Sequence, residues 1–237
     1  MKAVDKIFAE KIYIFLGALF ITSLVVSNII FQKFFYWYPI NIILFDQPLF
    51  ELSVGLLPYP LTFLITDLIS EIYGKRRANL IVIAGIFASF FSAGILFLGD
   101  ILPAVEYSPI NDALYKKVFS LSPIAALASM IAYLIAQFVD IRIYHFWKKL
   151  TKGKKLWLRN NFSTFASQFL DSVTVVGLLC LFNILSWENF LGLSMASFIF
   201  KILVALIDTP FLYLFVYLFR KRFSLKIEEE IDWNRAQ

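Results

Sequence analysis

The chain has 237 residues, of which 60% are hydrophobic, 18% aromatic and 16% charged, and it carries a net charge of +5. Soluble domains run at roughly 45–50% apolar and about 25% charged, and a soluble core of this size cannot bury so much apolar surface, so the composition points to a membrane protein and away from a soluble enzyme or a nucleic-acid binder. The single cysteine, Cys180, excludes an intrachain disulfide and a cysteine-rich metal site, and the single histidine, His145, excludes a multi-histidine zinc site. No metal and no cofactor is expected.

A helix needs about 20 apolar residues to cross the hydrocarbon layer. Six segments qualify: 12–31, 54–73, 78–98, 121–146, 162–187 and 193–219. The first follows a short basic start, but its apolar run is long and no A-x-A-like cleavage site follows, so it reads as a span. The stretch 34–45 is too short to cross, and alternating Ile40, Ile42 and Leu44 suggest an extended interfacial piece. The second span carries Pro58 and Pro60, which should break it. Regular helix is expected from Pro60, with 54–59 extended at membrane depth, where only protein or a water-filled cavity can cover it. Such a helix start turns its positive dipole end and free N–H groups into the bundle. Pro210 in the sixth span should free the carbonyl of Leu206, beside Asp208. The tail 227–237, with Glu228, Glu229 and Glu230, reads as a short solvated helix or a frayed end. No linker or low-complexity tract divides the chain, so residues 1–237 form one all-α, six-helix membrane domain.

Charge sets the orientation, since Lys and Arg collect on cytoplasmic loops. Seventeen of the 22 cations fall on one side: Lys2, Lys6 and Lys11; Lys75, Arg76 and Arg77; Lys148, Lys149, Lys152, Lys154, Lys155 and Arg159; and Arg220, Lys221, Arg222, Lys226 and Arg235. The opposite connections hold Lys33, Lys116 and Lys117, and Arg142 and Lys201 lie inside helices. Both termini are therefore expected in the cytoplasm.

Charged groups at mid-bilayer cost a few kcal/mol each and need partners, water or a job. Counted from the flanking cations at 1.5 Å per residue, Asp67 and Asp140 lie about 12 Å deep and Asp171 and Asp208 about 18 Å deep. Gln137 and Gln168 each precede an aspartate by three residues, on the same helix face. The runs Ala136-Gln-Phe-Val-Asp140 and Ser167-Gln-Phe-Leu-Asp171 are nearly identical on antiparallel helices, as in an inverted repeat. Tyr133 shares a stripe with Gln137, Asp140 and Tyr144. One buried Asp or Gln is more often helix–helix glue than a ligand, but six in one slab favour a solute site. Glu71 and Arg142 lie nearer the surface, where they can snorkel or pair. Lys201 either snorkels outward or serves the site, and Asn28 is either glue or gate. Lys201 and Asp208 stand about 10 Å apart along the axis, so each needs a partner on another helix. His145 reads as interfacial and Cys180 as packing. No zincin, nucleophile-elbow or P-loop motif is present, so the chain is not expected to be an enzyme.

These residues resemble the queuosine-precursor transporter family, also called the vitamin uptake transporter family. The run Tyr59-Pro-Leu-Thr-Phe-Leu-Ile-Thr-Asp-Leu-Ile-Ser-Glu-Ile-Tyr-Gly74 resembles its second-helix signature. Residues 129–140 are similar to its fourth-helix element, with Ala136 where a glycine is usual; 161–172 are similar to its fifth-helix run, and Phe200-Lys201 with Asp208-Thr-Pro210 to its sixth. The resemblance implies a multi-pass inner (plasma) membrane transporter that imports 7-cyano- or 7-aminomethyl-7-deazaguanine, or queuine, for tRNA modification. Its partners would be the deazaguanine base and the lipid bilayer, not nucleic acid, with monomer and homodimer both open. A guanine-like edge offers adjacent N–H donors that a carboxylate accepts in pairs, and Phe and Tyr faces can stack on the ring. Asp140, Gln137, Asp171 and Gln168 would recognise the base, Asp67, Lys201 and Asp208 would complete or gate the site, and Asn28, Glu71 and Tyr133 would gate it or act secondarily. Alternatives are a proton- or cation-coupled carrier or channel for another heterocycle or vitamin, and an assembly subunit using the acids as glue.

Overall fold

The computed structural model describes residues 3–30, 33–36, 43–44, 47–48, 51–119, 123–183, 185–227 and 229–231. In chain order they form α1 (Ala3–Ile30), β1 (Phe34–Tyr36), β2 (Ile43–Leu44), β3 (Gln47–Pro48), β4 (Glu51–Ser53), α2 (Tyr59–Ile72), α3 (Lys75–Ile101), α4 (Asp112–Phe119), α5 (Pro123–Leu150), α6 (Leu156–Leu181) and α7 (Phe190–Phe223). Apart from the short strand pairs, the described fold is all helical.

Four stretches are long and apolar enough to cross a membrane: Asp5–Ile30, Lys75–Ile101, Leu156–Leu181 and Trp187–Phe223. α5, with 28 residues, has the length to cross as well. The second expected span differs most. α2 has 14 residues, about 21 Å of helix, well short of the roughly 30 Å hydrocarbon layer. Regular helix begins at Tyr59, one residue before the expected start: Pro58 caps α2 and Pro60 lies in its first turn. Proline fits there because first-turn N–H groups have no partner inside the helix. Residues Val54–Leu56 are a 3-10 turn, not extended chain. Pro210 lies within α7, which runs on through it to Phe223, so the sixth span is not interrupted.

The piece between α1 and α2 is extended where it is described. β1 pairs antiparallel with β4, Phe34 opposite Ser53, and β2 pairs with β3, Ile43 opposite Pro48. Residues 37–42 and 45 of the expected interfacial segment lie outside the described residues, as do Phe31 of the first span and Leu121 and Ser122 of the fourth. The amphipathic helix α4, in the connection before α5, was not foreseen.

α2 is the centre of the bundle. It packs against α1, α3, α5 and α7, while α5 packs on α6 and α6 on α7. Ten of its residues are buried, including Thr62, Thr66, Asp67, Ser70 and Glu71. The outer helices show the reverse pattern: α3 exposes Phe87, Phe90, Phe91, Ile95, Phe97 and Leu98, apolar side chains suited to lipid.

The tail after α7 is neither a helix nor frayed where it is described. The Ile231 amide donates to the Ile72 carbonyl at 2.9 Å, the Ile231 side chain is buried, and Glu230 pairs with Lys148 at 2.8 Å. This strap crosses the α2–α3 junction at Gly74, whose φ of 85° and ψ of 166° belong to a region only glycine adopts readily. A Cβ there would sit 2.2 Å from a Glu230 carboxylate oxygen. Glu228 and 232–237 lie outside the described residues.

Candidate functional site

The polar residues expected in one slab separate into two layers. In the upper layer the start of α2 places Tyr59 so that its hydroxyl donates to Asp171 Oδ2 on α6 at 2.8 Å. Lys201 of α7 forms an ion pair with the same oxygen, and its ammonium lies 5.3 Å from the centre of the Tyr59 ring, a cation–π arrangement. Three helices thus meet at one carboxylate. Asp171 is the partner that Lys201 required, so Lys201 does not snorkel away.

The lower layer lies two turns further along α2. Asp67 and Asp140 bring their carboxyl groups within hydrogen-bonding reach of each other across the α2–α5 contact. Asp140 Oδ1 accepts from Ser167 at 3.0 Å. Asp67 Oδ1 and Asp140 Oδ2 have no other hydrogen-bond partner. Gln137 is spent within the bundle: its amide donates to the Tyr133 hydroxyl at 2.9 Å, and its carbonyl lies 3.3 Å from the Thr66 hydroxyl. Gln137 and Asp140 are wholly buried and line neither of the two cavities at this level.

The first cavity is a narrow cleft between α2, α6 and α7. Its apolar walls include Tyr59, Phe63 and Phe200, and its polar residues are Asp67, Asn160, Thr164, Gln168, Lys201 and Asp208. Asn160 Oδ1, Thr164 Oγ1 and Gln168 Oε1 are buried without a partner. A buried polar group left unpaired costs about 1–3 kcal/mol, so a cleft holding several such groups suits a ligand that supplies the missing bonds. Of the seven residues expected to bind, Asp67, Gln168, Lys201 and Asp208 come together here, Asp171 stands at the partition above, and Gln137 and Asp140 form the layer behind.

The second and larger cavity, about 330 Å³, lies on the other side of Leu56, Tyr59 and Lys201, which line both. Hydroxyl and amide groups dominate its polar surface: Ser27, Asn28, Ser89, Ser129, Ser172 and Ser197, with Tyr133 and Asp171. Asn28 donates to the Ser89 hydroxyl at 3.4 Å, joining α1 to α3 at this chamber.

Glu71 is not a surface snorkeler. It is fully buried and is the hub of an ionic cluster. Arg159 donates to its Oε1 at 2.5 Å, Arg220 pairs with the same oxygen, Tyr144 donates to Oε2 at 3.0 Å, and Lys148 stands 3.6 Å from Oε2. One carboxylate therefore ties α2 to α5, α6 and α7. Arg142, by contrast, is exposed. Reading the sequence missed this cluster, and it missed Asn160, Thr164, Tyr59, Phe63 and Phe200 in the cleft. A signal for two of them was present: Asn160, Thr164 and Gln168 recur every four residues and so share one face of α6.

Long apolar helices around a buried polar interior define a multi-pass helical membrane protein. The chain belongs to the vitamin uptake transporter family: the family profile described as "Putative vitamin uptake transporter" matches residues 53–215, which hold both layers of the site. The chain is also similar to the "Probable queuosine precursor transporter" of Bacillus subtilis (strain 168), with 28% identity over 164 residues, covering 68% of this chain and 70% of that protein. No solved structure matches it. The family and the relative are both named as transporters, and the chain is accordingly a transporter and not an enzyme.

Proposed function

We propose that the protein imports a 7-deazaguanine precursor of queuosine across the inner membrane, and that the cleft between α2, α6 and α7 recognises the base. The observation that carries this reading is the set of unpartnered buried acceptors, Asn160 Oδ1 and Gln168 Oε1, beside Asp67 and between aromatic walls. A guanine-like edge presents adjacent N–H donors to such acceptors, and its ring carbonyl accepts a hydrogen bond from a hydroxyl or ammonium. Thr164 and Lys201 supply those groups. Tyr59, Phe63 and Phe200 offer faces to a flat ring. The name carried by the similar Bacillus subtilis protein supports the same substrate class.

The larger chamber is the approach from outside. The base passes Asn28 and the serines, meets the Tyr59–Asp171–Lys201 partition, and enters the cleft when that partition opens. The chain acts as a single domain with both termini in the cytoplasm, as the distribution of Lys and Arg favours. Five long helices cross the bilayer, and α2 completes the sixth passage together with the turn before it.

The test is queuosine in tRNA. A host lacking its own importer and its own synthesis expresses the protein and is fed each precursor separately. Queuosine returns with at least one of them. Absence of queuosine with all of them, at normal protein level in the membrane, overturns the reading.

A further inference from the structure

Asp67 and Asp140 are the most deeply buried acids of the interior that lack a cation. Lys201 is engaged by Asp171, and Arg159, Arg220 and Lys148 are engaged by Glu71. Among the described residues no ion pair reaches either aspartate. The other titratable groups facing the pair are acids as well: Glu71 one turn further along α2, and Asp208 from α7. From α5, Tyr144 directs its proton to Glu71. From α6, Ser167 donates to Asp140. Two carboxylates within hydrogen-bonding reach do not both stay ionised in a low-dielectric interior, because each raises the cost of charging the other. One proton between them would satisfy the two oxygens that have no other partner, Oδ1 of Asp67 and Oδ2 of Asp140. Among the described residues no three acidic, histidine or cysteine side chains gather as a metal site.

Building on the transport reading above, we propose that Asp67 and Asp140 hold one proton between them and that this proton enters the cell with each substrate molecule. Asp67 lines the cleft and Asp140 stands behind it. When the base arrives, its N–H donors bind the ionised form of Asp67, and the shared proton rests on Asp140. When the base leaves toward the cytoplasm, Asp140 gives its proton to water entering the cleft. The emptied carrier returns with both carboxylates hydrated by the water that has entered the cleft, and it closes over the next base only after the pair has taken up another proton from outside, because two adjacent buried anions are costly to enclose.

The test uses the full-length protein in liposomes, with labelled 7-cyano-7-deazaguanine and a trapped pH dye, alongside infrared spectra of the purified protein. Each unit of inward pH gradient should raise base accumulation about tenfold, the value for one proton per molecule, and the dye should report acidification inside. The infrared spectrum should show a protonated carboxyl band that disappears in both Asp67→Asn and Asp140→Asn. Where an Asn variant does not fold, Ser167→Ala keeps both acids and should shift the band by removing the bond to Asp140. Base uptake that ignores the pH gradient, or that requires sodium, overturns the proposal, as does a band unchanged in all three variants. If the band behaves as expected but no deazaguanine is carried under any gradient, the shared proton stands and the substrate reading fails.

Discussion

Replacing Asp171 by Asn separates two roles that buried acids can play. The change leaves the Lys201 ammonium in the bundle without its counter-ion, and it is 9% exposed. Breaking a buried ion pair by removing one partner costs about 3–5 kcal/mol, and translocon scales give a similar 2.5–3.5 kcal/mol for an unpaired lysine at mid-bilayer. For a chain of this length each kcal/mol moves the melting midpoint by roughly 2–4 °C, so Asp171→Asn should lower it by about 6–20 °C in detergent. Adding Lys201→Met removes the stranded charge and supplies an apolar side chain of similar length, and such replacements of whole ion pairs are often neutral. The double variant should therefore melt within a few degrees of the parent. Its uptake should stay lost, because the Tyr59 hydroxyl no longer meets a carboxylate and the cleft no longer holds a cation. The assays are fluorescence-detected size exclusion after heating, and uptake in cells at matched membrane level. A double variant that regains both stability and uptake would refute the reasoning and make the pair plain helix glue.

Glu71→Gln should be the most damaging single change at the cytoplasmic end, since it removes the carboxylate that Arg159, Arg220 and Lys148 share; a midpoint fall of about 6 °C or more is expected, and one under 2 °C would contradict it. Gly74→Ala should displace the Glu230 strap and strain the α2–α3 turn, read as faster proteolysis of the tail while membrane insertion is kept; unchanged cleavage would argue against the docked tail. Gln168→Leu should raise the KM for the base about 5- to 150-fold, the value of one to three kcal/mol lost from a buried hydrogen bond, with little change in melting midpoint; an unaltered KM would remove Gln168 from recognition.

Much of this molecule is readable from its residue order, and the parts that are not have physical reasons. Membrane residence follows from apolar runs, and the interior acids stand out because lipid tolerates them so poorly. Depth along one helix is also readable, but register between helices is not. Asp140 and Asp171 occupy matching places in two similar runs, yet α5 and α6 are antiparallel, so Asp140 meets Ser167 and Asp67 while Asp171 meets Tyr59 and Lys201. Gln137 looked like a ligand and proved to be held by Tyr133 and Thr66, a contact across 71 residues in the second case. Glu71 draws its partners from positions 77, 88 and 149 residues away, which no local pattern reveals. The start of α2 is legible because two prolines inside an apolar run open a helix, but the turn before it is not, since proline marks where a helix begins and not how the preceding backbone folds. Ile231, one apolar residue in a charged tail, was the unnoticed sign that the tail docks.

The central claim is that this chain moves a deazaguanine through the cleft beside Asp67. The most direct measurement is uptake of labelled 7-cyano-7-deazaguanine by liposomes containing the purified full-length protein, with Asp67→Asn liposomes beside them. Saturable uptake by the parent, inhibited by the aminomethyl base or by queuine and lost in the variant, is the predicted result. Uptake no faster than in empty liposomes, or equal in the parent and the variant, would contradict it.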